Sequence, residues 1–172
     1  MTVSKLKTHN YLADIVVVNK NEKLVLLVEI KNIQLEVSFP QEQAISQINF
    51  YLQIIYKNDY SLINNDVFAM IVDINKIEIY KYNFSNDNPY LKLLVSLPTS
   101  VILSHYDPDF NNKRIFNLYM ETLVEAWLRD LVYHWKSEIP PGLKELAEIG
   151  LLSQIEGGKT YSQVNIGADT LH

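Results

Sequence analysis

Every convincing strand of this chain lies in a stretch without glycine. All five glycines come late, at Gly142, Gly150, Gly157, Gly158 and Gly167, and the first 141 residues have none. A phosphate-cradling P-loop, a dinucleotide fingerprint and a Gly-x-Ser-x-Gly nucleophile elbow each need glycine at a strand-to-helix turn, where the backbone passes close to a ligand or turns sharply. All three chemistries are excluded where they would have to sit. The absence of Cys removes thiol nucleophiles, Cys-ligated zinc and iron–sulfur clusters, and fits a reducing, cytoplasmic compartment. At 172 residues and 48% hydrophobic content the chain is long and apolar enough for one domain with a real core. No run is long enough to span a membrane, and no signal-peptide core follows Met1.

The hydrophobic pattern predicts an α/β fold. Tyr11–Val18 and Lys23–Lys31 read as a hairpin of buried strands around the polar stretch 19–22, with Asn taking the place of Gly in the turn. Apolar residues at 44, 48, 51, 52 and 55 mark a helix over Gln41–Lys57 behind Pro40. Val67–Val72 and Ile77–Tyr82 are strands, and Leu91–Leu97 and Val101–His105 are shorter strand candidates flanking Pro98. The longest predicted helix runs from Arg114 to Lys136. Its polar stripe (Asn117, Glu121, Glu125, Arg129) is so narrow that the rest must be covered by the chain's own core or by a second copy, so a homodimer is admitted. A short helix over Leu143–Leu152 follows. The expected organisation is one domain over 1–156, with its motif region at 11–82 and a helical part at 114–152, then a polar tail over 157–172.

Charge placement points to the chemistry. Glu29-Ile30-Lys31 is one acid-x-Lys triplet, and chance alone gives about 1.5 in such a composition. Its setting matters more, because the triplet ends a run of Leu-Val-Leu-Leu-Val, where desolvating a charge costs several kcal/mol unless it is paired. Asp14 interrupts the preceding strand, and an even turn centred between Asn21 and Glu22 sets Asp14 directly across from Glu29. Two facing carboxylates repel unless a cation lies between them. With the Ile30 carbonyl as a third oxygen, the donors suit Mg²⁺ or Mn²⁺ rather than zinc, and Lys31 stands ready to orient a water.

Ala13-Asp14, fourteen intervening residues and Glu29-Ile30-Lys31 resemble the PD-(D/E)xK nuclease superfamily, whose restriction-endonuclease-like fold is a mixed central sheet flanked by helices. Gln47-Ile-Asn-Phe-Tyr51 resembles the Gln-x-x-x-Tyr element of RecB-like members and of type I restriction subunits. The resemblance covers roughly residues 11–56. It implies that Asp14, Glu29 and the Ile30 carbonyl hold Mg²⁺ or Mn²⁺, that Lys31 is the catalytic lysine, and that Gln47 and Tyr51, with Gln43 one turn earlier, support the site or contact substrate. The expected function is Mg²⁺-dependent hydrolysis of DNA phosphodiester bonds by an endonuclease. The alternative is an inactive binding or regulatory module of the same fold. The net charge of −5 argues mildly against a broad nonspecific nucleic-acid footprint.

Overall fold

The computed structural model describes residues 11–31, 40–84 and 89–166. Six strands among them form one mixed sheet: β1 (Tyr11–Val18), β2 (Leu24–Ile30), β3 (Ile63–Val72), β4 (Lys76–Asn83), β5 (Tyr90–Pro98) and β6 (Lys159–Ile166), in the order β5-β4-β3-β2-β1-β6. Only β2 and β3 run parallel, and a parallel pair needs a crossover. Helix α1 (Pro40–Asp59) lies in that crossover. The expected α/β architecture, a mixed central sheet flanked by helices, is what the chain adopts.

The sheet has a core on each face. On one, Val16, Val18, Leu27 and Ile71 meet α1 through Ala44, Ile48, Tyr51, Leu52 and Ile55, the stripe expected from the sequence. On the other, Ile15, Val17, Val28, Met70 and Ile79 meet α3 (Asn117–Tyr133), whose Met120, Leu123, Val124, Trp127, Leu128 and Leu131 are all buried. Each such aliphatic or aromatic side chain contributes about 1.5–3 kcal/mol by burial. The chain's own core therefore covers most of α3. Phe116 and Trp135, which the periodicity placed on its apolar side, lie just outside the helix ends and are half-exposed.

Several local expectations are corrected. Val101–His105 is not a strand: Thr99–Leu103 is a short helix, α2, in which Ile102 and Leu103 are buried side by side while Val101 is exposed. Consecutive buried residues follow helical geometry, which a short β-branched run conceals. Leu143–Leu152 divides at Gly150 into α4 (Leu143–Glu148) and α5 (Leu151–Ile155). In the β1–β2 turn the left-handed residue is Glu22, whereas Asn19 acts through its side chain, whose Oδ1 accepts from the Asn21 and Lys23 amides.

The largest correction concerns the polar tail. Residues 159–166 form β6, which pairs along β1 from Tyr11–Ile166 to Val18–Lys159. Its entry depends on glycine, since a Cβ on Gly158 would stand 1.9 Å from the Val18 carbonyl oxygen. Polar alternation on an edge strand looks like a tail until its partner is known.

Candidate active site

The β1–β2 register carries Asp14 across from Glu29, because Ile15 pairs with Val28 and the pairs run on evenly toward the strand ends. The main-chain ladder stops there. In its place Asp14 Oδ2 accepts a 2.7 Å hydrogen bond from the Ile30 amide, so a carboxylate occupies the opening between the strands. Beyond it β2 stays on β3, with the Lys31 amide donating to the Val72 carbonyl.

Glu29 is buried, and its Oε1 has no hydrogen-bond partner. Burial, then the Asp14 charge and hydrogen bond, then Glu121, push its carboxyl up to about 9, so it is protonated at neutral pH. Burial also raises Asp14, outweighing hydrogen bonds from the Ile30 amide, Glu29 and Gln163. A third acid enters from the opposite helical layer. Glu121 of α3 is buried, feels the Asp14 charge and is raised by desolvation. Gln163 of β6 donates its amide to Glu121 Oε2 at 2.8 Å. Glu121 and Gln163 also line a cavity of about 520 Å³ shared with Arg129, Tyr133 and Trp135.

Lys31 follows two residues after Glu29 in the chain, but its ion-pair partner is Asp73 at 3.4 Å rather than either facing carboxylate. Asp73 also shapes the β3–β4 turn, accepting from the Asn75 and Lys76 amides through Oδ1. On α1, the Gln47 amide donates to the Tyr51 hydroxyl at 2.5 Å, and that hydroxyl donates to the Leu12 carbonyl at 3.5 Å, two residues before Asp14. Tyr51 is buried; Gln47 and Gln43 are exposed. Thus Asp14, Glu29 and Ile30 come together, the Lys31 side chain is held by Asp73 instead of joining them, and Gln47 and Tyr51 brace β1. Sequence reasoning missed Glu121, Gln163 and Asp73 as members of the site. An acid on a nearly enclosed helix was a signal for Glu121; Gln163, in a stretch read as a tail, carried none.

A hard divalent cation fits this donor set in two respects. Glu29 Oε1 is a buried oxygen without a partner, and Asp14 faces it with the charge that burial most disfavours. The oxygens available, two carboxyls and the Ile30 carbonyl, match Mg²⁺ or Mn²⁺ with water completing the shell. Among the described residues, no group of three or more His, Asp or Glu side chains is arranged to hold a metal by itself.

A family model described as the type I restriction enzyme R protein N terminus matches residues 2–89, just over half of the chain. The chain belongs to that family. The R-protein N-terminal segment spans β1 to β4 and contains Asp14, Glu29, Lys31, Gln47, Tyr51 and Asp73, whereas Glu121 and Gln163 lie beyond it. No curated protein and no solved structure matches the chain. Among the described residues, no helix is long and apolar enough to cross a membrane.

Proposed function

We infer that this R-protein N-terminal relative is a metal-dependent nuclease of the PD-(D/E)xK type acting on DNA. The observation that carries the reading is the buried Glu29 carboxyl, its Oε1 unpartnered, opposite Asp14 where β1 and β2 part, with Lys31 two residues on. Asp14, Glu29 and the Ile30 carbonyl would hold Mg²⁺ or Mn²⁺. When bound, the ion would supply Lewis-acid activation of a phosphodiester and of a water. The chain's own groups do the remainder. The Ile30 amide fixes Asp14, Tyr51 ties α1 to the Leu12 carbonyl, and Lys31 places a cation where charge grows on the phosphate once it is released from Asp73. Gln47 and Gln43, exposed on α1, are placed to meet the strand being cut.

The test is incubation of the protein with plasmid and linear DNA in Mg²⁺ or Mn²⁺, beside Lys31→Ala. Cleavage by the wild type alone is expected. Equal cleavage by both proteins would remove Lys31 from the mechanism. The Lys31–Asp73 ion pair favours a second reading, a binding module of the restriction system in which Lys31 serves the fold. DNA retention without cleavage by either protein is the result that reading requires.

A further inference from the structure

We propose that Gln163 is a positioning residue that completes the carboxylate site from outside the family segment, by tying Asp14 of β1 and Glu121 of α3 into one unit. The inference rests on the metal-site reading above and deepens it.

Three independent observations meet at this residue. Its backbone is left-handed, with φ of 52° in the middle of a strand, a conformation that is strained for a long side chain and persists only where its surroundings impose it. The β1–β6 ladder is interrupted at the same point, with pairing at Ala13–Val164 and at Ile15–Ser162 but not between Asp14 and Gln163. The side chain turns to the acids instead: its amide donates to Glu121 Oε2 at 2.8 Å from the register position that faces Asp14. An edge strand with regular geometry would give Gln163 an ordinary place in the ladder and leave Glu121 buried without that donor. The interrupted strand instead brings one amide onto Glu121 of α3 at the point where β6 faces Asp14 of β1. A primary amide suits this task because it donates without adding charge, so it can orient carboxylates and still leave their oxygens attractive to a cation. The entry to β6 that brings Gln163 here depends on Gly158.

The test uses the full chain in two parts. First, without metal, the side-chain amide resonances of Gln163 are recorded by NMR in the wild type, Asp14→Ala and Glu121→Ala. Both substitutions should move them, and resonances that neither moves would overturn the linkage. Second, Mn²⁺ binding is measured by calorimetry for the wild type and Gln163→Gly. Glycine accepts the left-handed backbone, so thermal stability should be kept while Kd weakens on the order of tenfold. An unchanged Kd in a folded Gln163→Gly protein, with Mn²⁺ taken up by the wild type, would overturn the positioning role and leave the metal reading standing. No uptake by the wild type would overturn the metal reading and this role with it.

Discussion

Two groups of carboxyls in this molecule, buried but for the part-exposed Asp14, meet opposite fates. Asp107 and Asp130, on the α2–α3 side, are saturated with donors. Asp107 takes the Lys113 ammonium at 2.8 Å, the Tyr119 hydroxyl at 2.5 Å and the Asp109 amide at 2.9 Å, and is held down at about 2 by Lys113 foremost. Burial alone would raise Asp130, but the Tyr106 hydroxyl and the Lys136 and Ser137 amides outweigh it and hold the carboxyl below its ordinary value. Asp14, Glu29 and Glu121 are raised instead, with Glu29 Oε1 unpartnered. The first group has the environment of structural anions. The second contains more acid than its donors can satisfy, the kind of environment that marks functional sites.

Substitutions break this comparison most sharply. Asp130→Ala leaves three donors unserved and should cost about 3 kcal/mol in urea unfolding. Glu29→Gln removes a carboxyl that the apo fold holds at a disadvantage, and stability should stay within about 1 kcal/mol of the wild type or rise. Equal losses in the two variants would mean that Glu29 is structural too.

The pH dependence sharpens it further. Glu29 keeps its proton in the native state up to about 9, whereas the unfolded chain releases it near 4.5. Its contribution is therefore complete below the lower value and is lost as pH rises toward the upper one. Metal-free thermal melts should fall across that window, and Glu29→Gln should flatten them. Asp107 has the opposite sign: its contribution is present above 3.8 and disappears as pH falls through about 2, so Asp107→Asn should weaken the acid limb alone. The smallest effect is expected at Lys31. Lys31→Met leaves the part-exposed Asp73 its two turn amides and should cost about 1 kcal/mol, so that lost cleavage would not reflect lost fold.

Much of this was legible in the sequence because it is local. The Asp14–Glu29 register follows from counting through one hairpin, and the α1 stripe follows from helical period, so both stand where expected. The turn at Asp107-Pro108-Asp109 is equally local, closed by the Asp109 amide on Asp107 Oδ1. What the sequence concealed depends on distant partners. Glu121 looks like any polar residue of a helical stripe until α3 is laid over β1. Gln163 belongs to a segment whose polar alternation becomes a strand only through pairing with β1, nearly 150 residues earlier. The Lys31–Asp73 contact needed the parallel pairing of β2 and β3, which a crossover helix permits but which no local pattern specifies.

The central claim is that the protonated Glu29 carboxyl, with its Oε1 unpartnered, marks a cation site. Calorimetric titration of the wild type and of Glu29→Gln with Mn²⁺ at pH 7, repeated in two buffers of different ionisation heat, measures uptake and proton release together. The account predicts that the wild type takes up Mn²⁺ and expels about one proton from Glu29, and that Glu29→Gln loses both the affinity and the release. Absence of uptake by the wild type, or uptake without proton release and unaffected by Glu29→Gln, would contradict it.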